Sequence, residues 1–74
     1  MIVLPSLKPR QVVEAPERAG FVVIRIVGSH YQLFNERMRR HTTVPYHTHD
    51  LPRGTIAAII RQAGLTRDEF LSQL

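Results

Sequence analysis

Phe21-Val22-Val23-Ile24-Arg25-Ile26-Val27-Gly28-Ser29-His30-Tyr31-Gln32-Leu33-Phe34 is two apolar runs broken by a glycine-serine-histidine step, and its reading decides the fold. Apolar, β-branched runs bounded by a turn signal predict two strands, over 21–27 and 31–34. Gly28 gives the backbone the freedom to reverse or bulge between them. The polar pair behind it then puts a hydroxyl and an imidazole at the start of a strand. A histidine held there stands on a rigid element with one side open to solvent. Imidazole is the side chain suited to taking or giving a proton near neutral pH. The competing reading of a lone histidine at a strand end is an ordinary surface residue.

Outward from this pair, the chain predicts helices on both sides. A helix over 9–19 would start on Pro9 at its first position and stop at Gly20, with Val12, Ala15, Pro16 and Ala19 as its apolar stripe. Pro16 removes a backbone donor inside that helix and predicts a kink or fraying. In the first strand both faces carry apolar residues, so alternation does not say which is buried, and both are expected to be partly covered. Residues 35–38 read as a connection. A third strand over 39–44 follows, its Thr42-Thr43-Val44 run suited to a pleated surface and Pro45 ending it. After a polar loop, Ile56, Ile59, Ile60 and Ala63 recur at helical spacing, and Gly64 marks the stop. Thr66 and Glu69 form a capping-box pattern that opens a short last helix with Phe70, Leu71 and Leu74 on its apolar side. The order helix, three strands, helix, helix is that of an α+β fold with a small antiparallel sheet.

Length and charge bound what such a fold can do. Seventy-four residues predict one domain over 1–74, with residues 1–7 as an irregular arm. There is no cysteine, which excludes disulfides and thiolate metal sites, so stability must come from packing. The apolar start, Met1 to Leu4, is too short for a signal peptide or a membrane span, and a soluble cytoplasmic protein is expected. Ten Lys and Arg against six Asp and Glu give a formal charge of +4. Nine of those ten cations are arginine, which forks onto phosphate oxygens better than lysine does. A balance of this kind suits a polyanion, nucleic acid above all, although a merely soluble basic surface has the same composition.

Five segments in order carry a resemblance: Arg18-Ala19-Gly20-Phe21, Gly28-Ser29-His30, Val44-Pro45-Tyr46-His47, Leu51-Pro52-Arg53-Gly54-Thr55 and Ile60-Arg61-Gln62-Ala63-Gly64-Leu65. Together they resemble the HicA toxin family over roughly residues 8–74. The resemblance implies a fold like the double-stranded RNA-binding domain and an mRNA interferase that cleaves RNA without a metal or other cofactor. It also implies a HicB-like antitoxin as partner, and it makes His30, in the Gly-Ser-His motif, the catalytic residue. The chain departs from the family pattern at Lys8 and Pro16, and in a second hairpin, 35–38, that lacks glycine.

The residues fit that chemistry on their own terms. Metal-free RNA cleavage needs a base for the ribose 2′-hydroxyl, an acid for the leaving 5′-oxygen and cations for the phosphate, and His30 can serve as base or, protonated, as acid. Gly28, Ser29, Arg25, Arg39, Arg40 and Arg53 are the candidates for contacting RNA; each arginine is equally what a solvated surface charge looks like. The amino end of the second helix, near Gly54 and Thr55, offers free N–H groups to an anion. His47 is a candidate second proton-transfer group. His41, His47 and His49 together are a weaker candidate for zinc, with no acidic cluster to support them beyond Asp50. Tyr31 and Tyr46 suit either base stacking or packing. The alternatives to a nuclease are a non-catalytic RNA-binding module of the same fold and a protein-interaction domain whose basic face docks an acidic partner.

Overall fold

The computed structural model describes residues 3–47 and 49–74. Its elements run α1 (Pro9–Arg18), β1 (Val22–Val27), β2 (His30–Asn35), β3 (Arg40–Pro45), α2 (Arg53–Ala63) and α3 (Arg67–Leu71). The strands pair antiparallel in the order β1-β2-β3, so the α+β order expected from the sequence is the one adopted. Strand ends differ by a residue: His30 and Asn35 both join β2, and Pro45 closes β3 rather than standing beyond it. Pro45 can do so because β3 is an edge strand, where a missing N–H need not remove a ladder bond.

Local chemistry accounts for the helix ends. Pro9 fills the first position of α1, and the Gln11 side chain accepts from the Lys8 N–H at 3.1 Å. The helix runs on through Pro16, whose ring is fully buried and whose carbonyl accepts from Ala19 and Phe21. Pro16 lies near the end of α1, and its ring makes core contact where the backbone bond is lost. Val13, which the predicted stripe omitted, is buried, whereas Ala19 caps the helix half-buried. On α2, Ile56, Ile59, Ile60 and Ala63 are all buried. Its C-terminus closes with Gly64 N–H to the Arg61 carbonyl and Leu65 N–H to the Ile60 carbonyl, the two bonds of a Schellman motif. The predicted capping box opens α3: Glu69 N–H donates to Thr66 Oγ1 at 3.1 Å, and Thr66 N–H donates to Glu69 Oε1 at 2.8 Å.

Register sorts the sheet into two faces, because residues directly opposite in an antiparallel pair share a face. Leu33 pairs with Thr42, and Tyr31 with Val44; this face meets the helices, and Leu33, Thr42 and Val44 are fully buried. The core joins them to Val12, Phe21, Leu51, Ile56 and Phe70. Thr42 donates its hydroxyl to Gln62 Oε1 at 3.0 Å, which satisfies the one hydroxyl buried beneath α2. Residues 3–6 have no regular secondary structure, but Leu4 and Leu7 are buried, and Leu7 bridges to Leu51. Met1, Ile2 and Thr48 lie outside the described residues.

The other correction concerns β1. Its register slips between Val23 and Arg25, leaving Ile24 as the extra residue of a β-bulge. Val22, Ile24, Ile26 and Val27 are 58%, 56%, 54% and 46% exposed, so of this strand only Val23 is partly covered. β1 is an edge strand, and apart from Val23, which packs against the core, its apolar residues stay exposed.

Candidate functional site on the open sheet face

A two-residue turn, Gly28-Ser29, joins β1 to β2, and Val27 pairs with His30 across it. Gly28 takes φ +59 while Ser29 does not take a positive φ. A positive φ at the first loop position alone is the pattern of a type II′ hairpin, which selects glycine there. His30 is thus the first residue of β2, also paired with Pro45 of β3. The strand end behind it is fixed: the Ser29 carbonyl accepts from Tyr46 N–H at 2.6 Å, and Tyr46 stacks on Tyr31 with ring centroids 4.4 Å apart and planes 19° apart. The two tyrosines present their rings to each other, the packing role of the two readings. Above this anchor the His30 imidazole is exposed, and among the described residues it has no hydrogen-bond or ion-pair partner.

The face that carries His30 lies opposite the helices. Its three rungs are Val27-His30-Pro45, Arg25-Gln32-Thr43 and Val22-Phe34-His41. Alternate residues of a strand are about 6.6 Å apart, so Phe34 stands roughly 13 Å from His30 along β2. Arg39 joins this face from the β2–β3 turn. It is the one non-glycine residue with a left-handed backbone among those described, at φ +57, and its guanidinium carbon lies 5.9 Å from the Phe34 ring centroid. The hairpin that lacks glycine has placed its left-handed conformation on Arg39. None of these rungs holds a carboxylate. The six acidic residues fall elsewhere: Glu14 and Glu17 on α1, Glu36 in the β2–β3 turn, Asp50 before α2, and Asp68 and Glu69 on α3.

Residues 9–65 match the family described as HicA toxin of bacterial toxin-antitoxin. The chain belongs to this family. No curated protein matches it. The matched span runs from the first residue of α1 to just beyond the glycine that closes α2, and it contains the whole sheet with His30. Membership makes the chain a toxin of the toxin–antitoxin type, with an antitoxin as its partner.

Within this HicA-family chain the candidate arginines separate. Arg25 lies on the His30 face, in the middle rung, and Arg39 lies at its far end. Arg40 does not: it pairs with Asn35 on the helix side, and its Nε would lie 2.8 Å from a Cβ on Gly64 at the end of α2. That contact, with the hydrogen bonding of Thr42 beneath α2, runs the helix antiparallel to β3. The amino end of α2, carrying Arg53, Gly54 and Thr55, is therefore at the same end of the sheet as His30. It has no side-chain cap and no acidic residue in its first turn. α1 also begins at this end, where Lys8 pairs with Asp50 at 3.0 Å.

The histidines separate as well. His47 follows Tyr46 at the His30 end, with its ring 6.2 Å from that of His49. His41 pairs with Phe34 at the opposite end of β3, so the three do not converge, and no group of three or more metal-ligating side chains gathers among the described residues. Sequence reading passed over Gln32 and Phe34 as site residues. The signal was available, since positions two and four after a strand-opening histidine share its face. Among the described residues no helix is long and apolar enough to cross a membrane.

Proposed function

We propose that this HicA-family toxin is an endoribonuclease that cleaves mRNA in the cytoplasm without a metal, using His30 for proton transfer, and that a HicB-type antitoxin neutralises it. The observation that carries the reading is the position of His30: exposed, at the start of a central strand, set by a glycine turn and anchored through Ser29. In the reaction, a base removes the 2′-hydroxyl proton of the ribose, and the oxygen attacks the adjacent phosphorus. The bond to the 5′-oxygen breaks, that oxygen takes a proton, and a 2′,3′-cyclic phosphate remains. Imidazole serves either proton step. Arg25 on the same face, and Arg53 with the uncapped amino end of α2 beside it, supply positive charge for the phosphate. Gly28 and Ser29, at the turn, lie close enough to His30 to contact the same RNA segment.

His30→Ala is expected to lower RNA cleavage in chelator about 10²–10⁴-fold. The residue is exposed, so its unfolding free energy should stay within about 0.5 kcal/mol of the parent. Equal cleavage by parent and variant, both free of contaminating nuclease, would sink the assignment. The carboxylate-free face favours a second reading, an RNA-binding module without catalysis; RNA retention with no cleavage by either protein would select it.

A further inference from the structure

We propose that the open face of the sheet is a platform for single-stranded RNA, on which an unpaired base stacks against the Phe34–Arg39 pair while the backbone runs past Arg25 toward His30. The inference deepens the nuclease reading and rests on it for the identity of the polymer. Four observations converge on it. The face holds an aromatic ring that is only partly buried, although it stands in the central strand. A guanidinium lies over that ring, 5.9 Å from its centroid, at a residue held in a strained left-handed backbone. His41 flanks the ring in the next strand. Arg25 stands between this cluster and His30, and no carboxylate interrupts the row.

Each feature has a chemical reading that favours unpaired RNA over other occupants. Aromatic faces and guanidinium planes both stack on bases, and only a base outside a duplex presents a free face to them. The carboxylate-free surface attracts a polyanion and repels a second copy of this basic chain. The ~13 Å from Phe34 to His30 is several times the 3.4 Å step between stacked bases, so the stacked base lies a few nucleotides from the bond His30 would act on. Phe34 is then a binding residue that fixes the register of the strand, not a catalytic one.

The test uses a short single-stranded RNA carrying one 2-aminopurine, and the same sequence as a duplex, titrated against the full chain in the His30→Ala background so that the RNA stays intact. The probe fluorescence should quench on binding, and the single strand should bind tighter than the duplex. Phe34→Leu keeps an apolar side chain of similar size but removes the π face; it should weaken single-strand binding roughly 5- to 150-fold and abolish the quench. Phe34→Tyr should restore both. Circular dichroism melts of each variant establish that it is folded under the titration conditions. Single-strand binding by folded Phe34→Leu equal to the parent would overturn the platform, as would preference for the duplex. So would a result in which Phe34→Leu impairs only binding to an acidic protein partner. The two proposals fail separately. Full, His30-dependent cleavage by Phe34→Leu refutes the platform and leaves the nuclease standing, whereas Phe34-dependent quenching by a chain that never cleaves does the reverse.

Discussion

Gly20→Ala tests how the end of the fold remote from His30 is held together. Gly20 has φ +103, and a Cβ built there would lie 3.0 Å from Asn35 Nδ2. Asn35 cannot easily give way. It is 2% exposed, donates to the Ala19 carbonyl at 3.2 Å and accepts from Met38 N–H at 3.0 Å. The substitution therefore carries two costs. Backbone strain at a positive φ is about 1–2 kcal/mol, and displacing the amide leaves a buried group short of a partner, a further ~1–3 kcal/mol. The expected loss is about 2–5 kcal/mol, a large share of the ~5–15 kcal/mol that holds a domain folded. Urea unfolding followed by far-ultraviolet circular dichroism reads it directly. A double-mutant cycle with Asn35→Ala isolates the contact: once the amide is gone, Gly20→Ala should cost only its strain, so the two losses should fall short of additive by about 1 kcal/mol or more. Additivity within about 0.5 kcal/mol would refute the steric argument. Since Gly20 and Asn35 stand at the opposite end of the sheet from His30, cleavage per folded molecule should not change.

Two further expectations follow from burial and register. Arg25→Gln should weaken RNA retention and lower the slope of log affinity against log salt by about 0.7, the weight of one single-strand phosphate contact; Arg40→Gln, on the helix side, should do clearly less, and equal effects would mean that RNA also runs over the end of α2. Pro16→Leu should lower the urea midpoint, because the ~1 kcal/mol of a recovered hydrogen bond is outweighed by about 1–3 kcal/mol of overpacking where the ring is already fully buried. A raised midpoint would show that proline strain in α1 exceeds the packing it provides.

What the sequence made legible, and what it did not, follows from the range of the interactions involved. The Gly28-Ser29 turn, the Thr66–Glu69 box and the isoleucine stripe of α2 are set by neighbours within four residues, and each formed as read. By local pattern Asn35 belongs to a loop, because its role depends on Ala19, sixteen positions away, which no local pattern encodes. The two faces of β1 stayed ambiguous for a different reason. A bulge at Ile24 breaks the alternation, so Val23 and Ile26, three apart, fall on one face. Arg39 and Arg40 are the sharpest instance. Adjacent in sequence and identical in chemistry, they part because one lies in the turn and the other is the first residue of β3; one guanidinium reaches Phe34 and the other lies against Gly64. Composition counts both as one basic pair. Only strand register separates Arg25, on the face of His30, from Arg40, beside a helix end, and the three rungs of the His30 face hold no carboxylate.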